Sequence, residues 1–120
     1  MAINDNLWIT HGNQKRFAFE LKTDEGKPVM DLLDTVSLEF VLQDLEKTEV
    51  LRITKSQIQL NQKYDEAVMF GWITVTISTQ DSENLEVGLY RYAIQARWPD
   101  GHTHEWTFPR VMHVLADMIT

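Results

Sequence analysis

The stretch His102-Thr103-His104-Glu105 is where the residue types of this chain come nearest to a reactive cluster. On a strand, residues two apart share a face with their Cα atoms about 6.8 Å apart, close enough for two imidazoles to hold one metal ion. His113 or His11 would have to supply the third ligand. Histidines directly after a hairpin turn are ordinarily solvated, and two ligands without a third at motif spacing do not define a centre. The expectation is therefore no metal and no other cofactor. The carboxylate pairs Asp24/Glu25 and Asp81/Glu83 fall in turn-like segments, where solvated acids are the rule. No Gly-x-Ser-x-Gly elbow, no glycine-rich phosphate loop and no cysteine is present. No residue is assigned a catalytic role, and the chain reads as a non-enzyme.

The tryptophans and one valine are the better candidates for contact. Trp72 alternates with Thr74, Thr76 and Ser78, not with Ile73, Val75 and Ile77, so it belongs to the polar face of its strand. Val41 likewise falls opposite Leu38, Phe40 and Leu42, while Trp8 and Trp106 sit near strand ends or among polar residues. Outward aromatics either fill a partner's pocket or stack on sugars. Trp8, Val41, Trp72 and Trp106 are thus the expected contact residues, for a protein partner first and a glycan second, with Trp98 a further platform for the glycan. For Trp72 a place beneath the Asn61–Phe70 segment, as a satellite core, is an equal expectation.

The elements that would carry these residues are strands. Gly71–Ser78 alternates with period two and is nearly all β-branched or aromatic. Tyr90, Tyr92, Ile94, Ala96 and Trp98 alternate with Arg91, Ala93, Gln95 and Arg97 in the same way. Pro99-Asp100-Gly101 then supplies turn chemistry and a hairpin into His102–Phe108. Earlier in the chain, Leu7–Thr10 is a short strand. Gln14–Lys22 turns Phe17, Phe19 and Leu21 inward, and Val36–Leu42 does the same with Val36, Leu38, Phe40 and Leu42. Val29–Asp34 is either a brief strand or a loop tucked over a core edge. Val50–Thr54 and Gln57–Asn61 read as strands, Asn61–Phe70 as a long connection, and Thr79–Leu85 as a loop with one helical turn capped by Asp81 or Ser82. Pro109 marks an edge or a break, and Arg110–Leu115 is the last strand. Seven to nine short strands at this spacing predict one β-sandwich or small barrel.

With 120 residues, the chain suffices for one core and not two. The 43% hydrophobic and 24% charged residues are ordinary globular proportions. The formal net charge of −7, with no basic tract, excludes a general phosphate-backbone binder and disfavours anionic membranes, so neither nucleic acid nor membrane is expected as a partner. Met1–Asn6 lacks the basic-then-apolar pattern of a signal peptide, and no apolar run is long enough to span a bilayer.

In order along the chain, several motifs resemble a group of phage immunoglobulin-like β-sandwiches, such as the N-terminal domain of upper baseplate proteins of tailed phages. They are Phe17-Ala18-Phe19-Glu20-Leu21, Asp24-Glu25-Gly26-Lys27-Pro28, Asp31-Leu32, Val36–Leu42, Gly71–Ser78, Leu85-Glu86-Val87-Gly88-Leu89-Tyr90, Tyr92–Trp98 and Asp100-Gly101. The likeness covers roughly Leu7 to Val114 as an order of features. Asn61–Phe70 is longer than the pattern, and the chain given stops where baseplate proteins continue. The resemblance implies an antiparallel immunoglobulin-like sandwich and a virion structural protein of the baseplate or tail, the neck or the head decoration. Such a protein is made in the host cytoplasm, is homo-oligomeric in the particle and contacts other virion proteins. Met1–Leu7 and Leu115–Thr120 would be arms that order against neighbours.

Overall fold

The computed structural model describes residues 6–116, apart from the side chains of residues 108–110. Eight strands form among them: β1 (Leu7–Thr10), β2 (Lys15–Glu20), β3 (Ser37–Asp44), β4 (Glu49–Thr54), β5 (Ile58–Gln62), β6 (Val68–Ile77), β7 (Gly88–Arg97) and β8 (Thr103–Leu115). One short helix, α1 (Thr79–Glu83), joins β6 to β7. The strands divide into a five-stranded sheet, β1-β8-β7-β3-β4, and a three-stranded sheet, β2-β6-β5. All pairings are antiparallel except β1 with β8, which is parallel.

This strand order is immunoglobulin-like: β2, β6 and β5 take the places of B, E and D, and β8, β7, β3 and β4 those of G, F, C and C′. A second hallmark lies at the start of β7, where the Tyr90 hydroxyl donates to the Glu86 carbonyl at 2.5 Å, the tyrosine corner of such sandwiches. Two residues on, where antibody domains place the second cysteine of the inter-sheet disulfide, stands Tyr92. Its ring lies 5.9 Å from Phe19 on β2 and 6.1 Å from Phe40 on β3, and Phe19 and Phe40 are 5.9 Å apart. An aromatic trio thus occupies the place of a disulfide and its tryptophan in a chain without cysteine.

Inward rows fall where alternation places them. Phe17, Phe19, Leu21, Leu38, Phe40, Leu42, Ile73, Val75, Ile77, Tyr92, Ile94 and Ala96 are all buried in one core. Val36, by contrast, is exposed, because the β3 ladder begins at Ser37 and the two-residue period has no force before it. The segment after β2 is a tucked loop: Lys22 bridges to Pro28, Val29 and Leu32 are buried, and Leu32–Asp34 makes a 3-10 turn. β6 begins three residues earlier than expected, at Val68, and turns at Gly71, whose φ is +87°. A Cβ there would lie 2.8 Å from the Pro28 Cβ and 3.2 Å from the Leu21 carbonyl oxygen, so only glycine fits. The cap of α1 is Ser78, whose hydroxyl accepts from the Asp81 N–H, in place of Asp81 or Ser82. Ser82 is instead buried and ties α1 to the β1–β2 turn, accepting from the Gly12 N–H and donating to the Thr10 carbonyl. Pro109 does not end the last strand: β8 runs through it, and the ladder to β7 shifts register between Arg91 and Ala93 to absorb it. The expected arms, residues 1–5 and 117–120, lie outside the described residues, while Leu7 and Leu115 belong to β1 and β8.

Candidate docking surface

The outward side of the five-stranded sheet follows from the register. With Tyr90, Tyr92, Ile94 and Ala96 turned into the core, Leu89, Arg91, Ala93, Gln95 and Arg97 of β7 face out. Leu89 pairs with His113 of β8, and His113 pairs with Trp8 of β1, so the three form a row across three strands. The Trp8 ring stacks on His113 at 3.8 Å and 8°, which fixes it against the sheet while leaving it 46% exposed. Leu89 is 44% exposed, and Val87 and Leu45 stand beside it on a shared shallow depression, also exposed. A band of exposed side chains therefore runs from Trp8 at the β1 edge across His113 to Leu89, Val87 and Leu45 at the β3–β4 turn, where Glu46 and Glu86 border it.

The four expected contact residues separate. Trp8 lies in this band. Val41 is on the same face but only 4% exposed, because it is flanked by Ala93 and by Arg52 and covered from both sides; it is floor, not a contact. Trp72 faces out from the other sheet, half-buried, with the Lys63 ammonium 4.6 Å over its ring. The neighbouring turn is pinned there by the Tyr64 N–H donating to Thr74 Oγ1, and by Arg16 to Asp65. Trp106 points inward against the core, and its indole N–H donates to the Lys22 carbonyl at 2.9 Å. Trp98 is buried and donates to the Asp31 carbonyl. Leu89, Val87 and Leu45 went unnoticed as contact residues in the sequence, although Leu89 is the large aliphatic residue in the outward row of β7, the same signal that singled out Trp72.

The histidines go to separate places. His102 stacks on Trp98 and bonds Asp100, His104 lies against Trp106, His113 against Trp8, and His11 Nε2 bonds the Glu83 carbonyl. Among the described residues no group of three His, Cys, Asp or Glu side chains is placed to hold a metal ion. Perturbed acids are those in surface ion pairs and turns. Hydrogen bonds from Arg16 hold Asp65 below the usual carboxylate range, and those from Arg52 do the same for Glu49. Asp100 is lowered chiefly by the His102 N–H. Burial raises Tyr90.

No protein-family model and no curated protein matches the chain. Among solved structures it is similar to the Ig1 domain of mouse SynCAM 2, with 14% identity over 93% of this chain and 92% of that one and a TM-score of 0.34. The strand order and the Tyr90 bond define the class by themselves: an immunoglobulin-like β-sandwich.

Proposed function

We propose that this domain is a non-enzymatic structural component of a phage particle, working by docking to further copies of itself and to neighbouring virion proteins. The observation that carries the docking reading is the band of Trp8, Leu89, Val87 and Leu45 on one sheet face. Exposed apolar side chains grouped near an aromatic anchor, with a charged border, are the usual make-up of a contact surface. The particle assignment is supported by the order of motifs along the sequence. Glycan stacking has less support, because Trp72 is capped by Lys63 and Trp106 is turned inward, so only Trp8 offers a half-open ring.

Two measurements test this. Mass spectrometry of purified virions is expected to find the chain as a stoichiometric component, and its absence overturns the particle assignment. A Trp8→Ser/Leu89→Ser variant is expected to keep its cooperative melt and to lose incorporation. Normal incorporation of the folded variant, or glycan binding abolished by Trp8→Ala, overturns the docking reading.

A further inference from the structure

The outward face of β7 forms the bed of a trough. Two adjoining depressions share Gln95 and Glu105 and together follow the strand from Arg97 at one end to Arg91 and Lys47 at the other. Val41 and Ala93 make the floor midway. Of the acids along it, Glu39 is paired with Arg52 at 2.8 Å, while Glu105 accepts from the Gln95 amide at 2.9 Å and keeps its charge midway between the two ends. Arg16, Lys22 and Arg52 each have a carboxylate partner, yet among the described residues Lys47, Arg91 and Arg97, the cations at its ends, have none. Among the same residues Lys15, Lys27, Lys55 and Lys63 have no carboxylate partner either; what sets Lys47, Arg91 and Arg97 apart is that all three border one trough in a chain with 18 acids and 11 bases.

Lys47 adds a backbone observation. Its φ is +70°, a conformation that glycine or asparagine adopts at lower cost. The turn that imposes it is held by Asp44, whose Oδ1 accepts from the N–H groups of both Glu46 and Thr48. The strain places a lysine at the Arg91 end of the trough.

We infer that this trough receives an extended acidic polypeptide segment, with one carboxylate at Arg97 and another at Arg91 and Lys47. Six residues of strand separate the two arginines by about 20 Å, so an extended ligand meets both with acids at positions i and i+6. A planar guanidinium pairs with a carboxylate through two parallel bonds, and the amides and hydroxyls between the ends suit neutral polar residues. Nucleic acid is a poor match for two cationic ends on a strongly acidic chain. An acidic glycan would find no aromatic platform, since no tryptophan lines the trough. The inference rests on the docking reading for this face and names the chemistry of the partner.

The test is an NMR titration of the isotope-labelled full chain with three nine-residue Ser/Thr peptides: Asp at positions 2 and 8, Asp at 2 and 5, and Asn at 2 and 8. The first is expected to shift the amides of residues 91–97 and 103–107. The other two are expected to bind about tenfold more weakly, the loss of one or both charge-assisted contacts. Added salt weakens the first peptide further. Arg91→Glu/Arg97→Glu abolishes the shifts; if that variant misfolds, Arg91→Gln/Arg97→Gln serves, since both side chains are exposed. Equal binding of all three peptides, shifts confined to other faces, no shifts at all, or displacement by an acidic oligosaccharide in place of peptide overturns the inference. Loss of incorporation in the Trp8/Leu89 variant with no peptide binding removes this inference alone. Peptide binding by a chain absent from virions removes only the particle assignment.

Discussion

Tyr90 carries its hydroxyl half-sequestered at the start of β7, donating to a backbone carbonyl four residues upstream. Tyr90→Phe deletes that bond and leaves the Glu86 carbonyl without it, so urea denaturation should show a loss of about 1 kcal/mol. Burial raises the phenol's folded pKa above its unfolded value of about 10. Its contribution is therefore fully present below that value and is lost as pH rises through the raised folded value; Tyr90→Phe should flatten this alkaline limb. Asp65 has the opposite sign. Its folded pKa is depressed by Arg16, so its contribution holds above the ordinary carboxylate value and is lost as pH falls through the lowered one. An NMR titration of Asp65 should give a midpoint below the ordinary range that returns to it in Arg16→Ala. The Tyr90 corner was in part legible, since Leu85-Glu86-Val87-Gly88-Leu89-Tyr90 is one of the motifs that carry the resemblance. An Arg reaching an acid 49 positions away was not, because it depends on how the chain returns on itself.

Among the elements, β6 and its bend at Gly71 join the two-residue alternation to the loop after β2. Gly71→Ala puts a Cβ against Pro28 in a backbone conformation that alanine adopts at a cost, and thermal and urea melts should show a loss of at least about 2 kcal/mol. Phe40→Ala, which removes one ring of the Phe19/Phe40/Tyr92 trio, should cost about 3–5 kcal/mol by the same melts. The strands themselves were readable because each central one keeps one dry face, so Phe17/Phe19/Leu21 and Tyr92/Ile94/Ala96 advertise their direction. Readability stopped where the period has no force. Val36 precedes its ladder, Val41 is polar-side by alternation but roofed by neighbours, and the α1 cap fell to Ser78, one residue outside the helical turn.

The whole molecule presents two unequal faces. The three-stranded sheet's outer side is partly covered by its own β5–β6 turn, through Lys63 on Trp72 and Arg16 on Asp65. The five-stranded sheet leaves a band of exposed side chains next to a trough with cationic ends. Of the expected contact residues, Trp8 alone lies in that band; Trp72 takes its equally expected place against the segment of residues 61–70, beneath Lys63, and Trp106 is turned to the core. Leu89 could have been found, since it is the large aliphatic residue in the outward row of β7, but Val87 and Leu45 reach it only through the turn geometry at the end of the sheet.

Hydroxyl-radical footprinting of the free chain and of purified particles probes this face most directly. Docking through the five-stranded sheet predicts that Trp8 and Leu89 are labelled in the free chain and protected in the particle, while Val68, exposed on the other sheet, changes less. Equal labelling of Trp8 and Leu89 in both states would contradict it.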